Sequence, residues 1–203
     1  MERIDCYLLY TGNKDIEQTI QGLQATGQAG QITLFGTEAP ASLPEGCSFL
    51  TVDSPFSSQS LKAIATQAAA PYTLLYTKDT ILNLGMFALE RMVHILNDSG
   101  AGMVYADHYQ LKDGKQAIAP VIDYQQGSLR DDFDFGSVLL YRTGALKDAA
   151  ARMKADYQFA GLYDLRLKLS QRHELVHINE YLYTEVENDT RRSGEKIFDY
   201  VDP

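Results

Sequence analysis

The chain has little cysteine: two residues, Cys6 and Cys47, in a length of 203. A disulfide framework or a zinc site needs more, or a Cys-x-x-Cys spacing, and neither is present. Both cysteines lie beside strand-like apolar residues (Cys6-Tyr7-Leu8 and Ser48-Phe49-Leu50) and read as small core side chains. Positive charge is also short. There are 18 Lys and Arg against 27 Asp and Glu, a net charge of −9. Non-specific binding to nucleic acid or to an anionic membrane needs a positive field, so both are excluded as expected partners. A small anionic ligand stays compatible, because a local site can override the global sign. No run approaches the roughly 18 apolar residues that cross a bilayer, so no transmembrane segment is expected. Met1-Glu2-Arg3-Ile4-Asp5 lacks the basic-then-apolar shape of a signal peptide, and a cytoplasmic location is the expectation. Phe198-Asp199-Tyr200-Val201-Asp202-Pro203 does not read as a natural end, which suggests a piece of a longer protein. There is no Gly-rich phosphate loop and no Ser-His-Asp or Cys-His order. The histidines, His94, His108, His173 and His177, show no metal-ligand spacing. Internal repeats, low-complexity tracts and linkers are absent as well.

What remains is the balance of an ordinary globular domain, 45% hydrophobic and 22% charged, long enough for one sizeable core. The first half alternates. Cys6–Tyr10 reads as a strand. Asn13 can cap a helix carrying Ile16, Ile20 and Leu23 at helical spacing. Gln31–Phe35 and Phe49–Val52 read as strands, separated by a loop with Pro40, Ser42, Pro44 and Gly46. Ser57, Ser58 or Ser60 can cap a helix with Leu61, Ile64, Ala65 and Ala68 along one side, and Pro71 stops it. Pro71–Thr80, PYTLLYTKDT, then reads as a buried strand running into Thr77-Lys78-Asp79. This is the βαβ rhythm of a parallel α/β sheet. In such sheets ligands bind beyond the carboxyl ends of the strands, where Asp79 falls.

The second half is less regular. Leu84, Phe87, Ala88, Met92, Ile95 and Leu96 predict the apolar face of a helix after Asn83. Gly102–Ala106 reads as a strand ending on Asp107, and Lys112-Asp113-Gly114-Lys115 as a turn. Asp131-Asp132-Phe133-Asp134-Phe135-Gly136 is an acidic loop whose two Phe suggest that part of it packs down. Val138–Tyr141 reads as a strand, Ala145–Met153 as a helix, Asp164–Leu169 as the start of a last core helix and Leu175–Tyr183 as a strand. Glu185–Ser193 reads as polar and mobile.

Four pieces in order resemble family 2 glycosyltransferases of the GT-A fold. PYTLLYTKDT sits where the family has a strand ending in Asp-x-Asp. GMVYAD (Gly102–Asp107) resembles the strand after the next helix, and DFGSVLLYRTGAL (Asp134–Leu146) an acceptor-side segment. FAGLYDLRLKLSQRHELVHINEYLY (Phe159–Tyr183) is similar to the segment in which an acid opens a helix. The resemblance covers roughly Tyr72 to Arg192, and the first 70 residues in rhythm alone. It implies one GT-A-like α/β domain over 1–203, a mixed, mostly parallel sheet flanked by helices. Residues 1–106 would form the nucleotide-sugar half and 107–203 the acceptor half.

The same resemblance implies transfer of a sugar from a nucleotide-sugar donor to a carbohydrate or lipid-linked acceptor, with Mg²⁺ or Mn²⁺. Asp79 matches the second Asp of the motif, the metal and donor contact. Lys78 stands beside it on the donor side. Asp164 matches the acid that acts as base, and Arg191 and Arg192 the basic patch that grips the diphosphate. Asp107, Asp132 and Asp134 are the acceptor-side candidates. Thr77 replaces the first Asp, and no acid follows Phe35 until Glu38. Ser57-Ser58-Gln59-Ser60 replaces an Asn-rich approach to the helix.

Each residue keeps a plainer reading. Asp79 can be a solvated strand end or a cap. Asp164 can be a helix-opening acid favoured by the dipole. Asp107 can be a turn former, Asp131, Asp132 and Asp134 a solvated loop, and Arg191 and Arg192 surface charge. Two alternatives to an active transferase follow: a catalytically degenerate GT-A-like binding or interaction module, and a nucleotidyltransferase on a similar fold. Tyr10-Thr11-Gly12-Asn13-Lys14 is a poor substitute for the Gly-rich, Arg/Lys-containing loop that the latter requires.

Overall fold

The computed structural model describes residues 3–13, 15–112, 114–127, 129 and 133–186. The elements run β1 (Ile4–Leu9), α1 (Ile16–Ala25), β2 (Ala29–Gly36), β3 (Cys47–Thr51), α2 (Ser58–Gln67), β4 (Tyr72–Tyr76) and β5 (Leu82–Leu84). They continue with α3 (Ala88–Ser99), β6 (Met103–Lys112), β7 (Lys115–Ala119), β8 (Val138–Arg142), α4 (Thr143–Ala151), α5 (Gly161–Ser170) and β9 (Leu175–Val186). All nine strands join one sheet in the order β3-β2-β1-β4-β8-β6-β9-β5, with β7 on β6. Strands β1, β2, β3, β4, β6 and β9 run one way, and β5, β7 and β8 the other. The expected mixed, mostly parallel sheet flanked by helices is therefore the observed one.

Alternation along the strands splits the core in two. Leu74 and Tyr76 of β4 face α1 and α3 with Ile20, Leu23, Met92 and Leu96. Leu75 faces α2, α4 and α5 with Leu61, Ile64, Leu146 and Leu165. Both faces are covered by helices, so the central strands read as near-continuous apolar runs. Ser57 caps α2, accepting a hydrogen bond from the Ser60 N–H. Phe135 is fully buried and Phe133 packs beside it, as the sequence suggested for the acidic loop.

Two sequence expectations need correction. Leu84 and Phe87 do not belong to a helix face. Leu84 lies on β5, an edge strand that pairs with β9 from Leu84 to Tyr183, and α3 starts only at Ala88. Phe87 precedes α3 in the left-handed region at φ 59° and is 66% exposed. Sheet pairing overrides helical periodicity there. Nor does β9 end at Tyr183: it continues to Val186 against β6.

The start of α5 is set by close packing. A Cβ on Gly161 would lie 2.4 Å from Ser58 N and 2.5 Å from Phe56 O, both backbone atoms. Gly161→Ala must push α5 off the N-terminus of α2. It is expected to lower the unfolding free energy by about 1–3 kcal/mol in denaturant titration. An unchanged midpoint would show that this contact yields freely.

Candidate functional site

The sheet reverses its winding between β1 and β4. From β1 the chain moves outward to β2 and β3, then returns to place β4 on the other side of β1. The crevice above the carboxyl ends of these two strands is the topological switch point, where open α/β sheets bind ligands. Asp79 is in the turn after β4, and Thr11 in the turn after β1. The Thr11 N–H donates to Asp79 Oδ2 at 2.9 Å, and the Thr11 hydroxyl donates to the same oxygen. Asn13 Nδ2 donates to the Asp79 carbonyl at 3.0 Å. The segment passed over as a phosphate loop thus meets the strand-end acid directly. Asp79 Oδ1 is buried without a partner.

The two residues before Asp79 turn the other way. Thr77 donates its N–H to the Ser137 carbonyl at 3.0 Å and its hydroxyl to the same oxygen at 3.3 Å. Lys78 Nζ lies 2.5 Å from Glu185 Oε1, with Lys78 39% exposed and Glu185 1%. Glu185 is the centre of a buried polar network. His108 Nε2 and Gln110 Nε2 both reach Oε1 at 3.2 Å, and the Ser137 hydroxyl donates to Oε2. Burial alone pushes this carboxyl up. The hydrogen bonds from His108, Lys78 and Ser137, with the charge of Lys78, outweigh it and hold the pKa down at about 2. Tyr183 stacks on His108 with ring centres 4.9 Å apart and accepts from the Ser137 N–H at 3.0 Å. Gly136 makes room for it: its φ is +70°, and a Cβ would meet the Tyr183 hydroxyl.

Asp164 opens α5 on the opposite face of the sheet from α1. It is buried, with Lys168 Nζ 3.3 Å from Oδ1 and no partner on Oδ2. The N-terminus of α5 packs on that of α2, which leaves the carboxyl end of β3. Asp164 and Asp79 therefore lie along the same edge of the sheet. No hydrogen bond or ion pair among the described residues joins them. Asp107 is buried on β6, and its Oδ1 accepts from the Val121 N–H at 2.8 Å and meets His177 Nε2 at 2.9 Å. Asp123 Oδ1 meets the other ring nitrogen at 2.7 Å. Asp107 thus anchors the segment after β7. Asp134 is exposed and accepts from the Gly136 N–H at 2.7 Å. Asp131, Asp132, Arg191 and Arg192 lie outside the described residues.

No protein-family profile matches the sequence, and no curated protein matches it. A solved structure does. The chain superposes on S. aureus TarS (residues 1–349) with a TM-score of 0.60 at 10% identity. The match covers 91% of this chain and 60% of that one, so the chain spans about three-fifths of the protein fragment it resembles. The fold is GT-A-like. No helix among the described residues is long and apolar enough to cross a membrane.

For the divalent cation that this fold family implies, the described residues at the end of β4 offer a single carboxylate, that of Asp79. At a diphosphate site a hard cation is held by one or two protein carboxylates, and phosphate oxygens and water complete its shell. Here Thr77 supplies a hydroxyl already directed at Ser137, Lys78 supplies an ammonium, and Asp79 has Oδ2 committed to Thr11 and Oδ1 buried without a partner. Among the described residues no three His, Cys, Asp or Glu side chains are grouped to hold a metal.

Glu185 is the candidate site residue that the sequence does not mark. Its polar neighbours read as the start of a mobile tail, whereas in the structure it is 1% exposed. The signal for a strand is present: Tyr181-Leu182-Tyr183-Thr184-Glu185-Val186 is rich in strand-forming residues, and Tyr183 and Glu185 share one face two residues apart.

The depressed pKa carries a sign. Glu185 contributes stability that is fully present above its ordinary value of 4.5 and is lost as pH falls from there through about 2. The loss should be on the order of 3 kcal/mol. Denaturant midpoints recorded between pH 6 and pH 2 measure it, and Glu185→Gln should flatten that dependence. An equally steep acid loss in the variant would assign it to other carboxylates.

Proposed function

We propose that this chain is a glycosyltransferase moving a sugar from a nucleotide-diphosphate donor to the hydroxyl of a carbohydrate or lipid-linked acceptor. One observation carries the reading. In a GT-A-like fold, Asp79 stands at the switch point, Lys78 follows β4 with its side chain turned toward β9, and Asp164 opens α5 toward the same carboxyl end of the strands. The donor enters over the ends of β1 and β4, with Asp79 beneath it and Lys78 on the side toward β9; the role of Arg191 and Arg192 on the diphosphate rests on the sequence resemblance alone. The acceptor hydroxyl attacks the anomeric carbon. The bond from that carbon to the diphosphate oxygen breaks, and its electron pair leaves with the nucleoside diphosphate. The hydroxyl proton goes to Asp164, whose Oδ2 is buried and unpartnered, so this reading requires the acceptor to gain access to that oxygen on binding. Lys168, 3.3 Å from Oδ1, steadies the carboxylate through one oxygen and leaves the other for that proton. Asp134, exposed on the loop before β8, faces the acceptor in this reading, and Asp132 is its acceptor-side candidate from the sequence alone. Asp107 has its carboxylate committed to Val121 and His177.

A second reading, a catalytically silent binding or interaction module, is favoured by Thr77 in the acid position and by Asp79 turned onto Thr11.

Release of nucleoside diphosphate from a panel of UDP- and GDP-sugars tests the choice. Loss of a general base typically costs 10²–10⁴-fold. Asp164→Asn should lower the turnover number at least about 100-fold and leave the donor KM within about threefold. Donor binding with no turnover by the wild type, or an unaffected Asp164→Asn variant, would transfer support to the silent module.

A further inference from the structure

We propose that Lys78, anchored by the buried Glu185, is the group that meets the donor's diphosphate, and that this chain binds nucleoside diphosphates without a divalent cation. This rests on the glycosyltransferase reading above.

A diphosphate must be met by positive charge or by several N–H donors. At the end of β4 the described residues offer Asp79, with only its buried Oδ1 uncommitted, and beside it an ammonium turned toward β9; among the described residues no three His, Cys, Asp or Glu side chains group to hold a cation. Lys78 is built into the site. Its Nζ has three N–H donors, and one points at Glu185 Oε1 at 2.5 Å. With the side chain 39% exposed, the others are left for an anion.

The anchor is rigid. Glu185 is 1% exposed and sits on β9 between β6 and β5. Its charge is shared among Lys78, His108, Gln110 and Ser137, so it does not serve Lys78 alone. A free lysine loses much rotamer freedom when it grips a phosphate. Here that loss is already taken on folding, which favours affinity. The molecule is anionic overall, at −9, so the attraction has to be local. Glu185 is a positioning residue in this scheme, since it touches Lys78 and not the ligand.

The experiment is calorimetric titration of UDP and GDP, with uridine and guanosine as phosphate-free controls, in EDTA and again in MnCl₂. One diphosphate should bind with the same affinity, within about threefold, in both buffers. Lys78→Ala and Lys78→Gln should weaken it at least tenfold while leaving the nucleoside unchanged. Glu185→Gln should weaken it too, and should add nothing in the Lys78→Ala background. Far-ultraviolet circular dichroism establishes that each variant folds, and Lys78→Gln carries the test if Glu185→Gln does not. Binding that appears only with Mn²⁺ would overturn this proposal and leave the transferase reading standing. Equal binding by the Lys78 variants would also overturn it. No binding in either buffer would overturn both.

Discussion

A single carboxylate, that of Glu185, holds together the part of the sheet on which the site is built. Lys78 comes from the turn after β4, Ser137 from the residue before β8, and His108 and Gln110 from β6. All converge on a side chain of β9. An ionised carboxylate this deeply buried is costly unless several donors surround it. Once they do, removing any one leaves the charge under-satisfied, so the members constrain one another. The turn carrying Lys78 and Asp79 is therefore held from one side by β6, β8 and β9. From the other side, Thr11 and Asn13 of the turn after β1 hold Asp79. An exposed loop becomes a fixed platform because it is tied at both flanks.

That platform coincides with the place where sheet topology opens a crevice. Strand order alone puts the crevice between β1 and β4. The hydrogen bonds of Asp79 cross it. The candidate base comes from the other layer of helices, brought to the same edge by the contact of Gly161 with the start of α2. Topology supplies the location, and two local devices, a buried anion and a glycine contact, supply the residues. The likeness to TarS at 10% identity accords with this division. Layer packing tolerates almost any hydrophobic sequence of the right pattern, whereas a site needs particular groups.

The same division explains what could be read from the sequence. Strands β1, β2, β4 and β8, buried on both faces, were legible as apolar runs, and α2 through its serine cap. Asp79 and Asp164 stand out as candidates because each closes or opens a regular element. Glu185 does not, because its partners lie 48 to 107 positions away in the chain and nothing local marks a buried charge. The apolar residues around Phe87 misled for a related reason. Pairing of β5 with β9 is a long-range contact, and it withdrew Leu84 from the helix that its spacing suggested. Asp107 looked like a strand-end acid open to solvent. In the fold β6 runs five residues further, and the acid serves a connecting segment instead.

The placement of Lys78 also answers an electrostatic difficulty. The molecule carries a net charge of −9, and its proposed ligand is an anion. At physiological ionic strength charges beyond about 8 Å are largely screened, so the overall repulsion is weak at the crevice. What governs binding is the first few ångströms. There the carboxylates are largely committed: Asp79 has Oδ2 on Thr11 and Oδ1 buried, and Glu185 is held by its four donors. Each accepts hydrogen bonds from within the protein and offers an approaching phosphate little open negative surface. An ammonium that is fixed, part-exposed and flanked by committed carboxylates can attract an anion within a protein whose total charge would repel it.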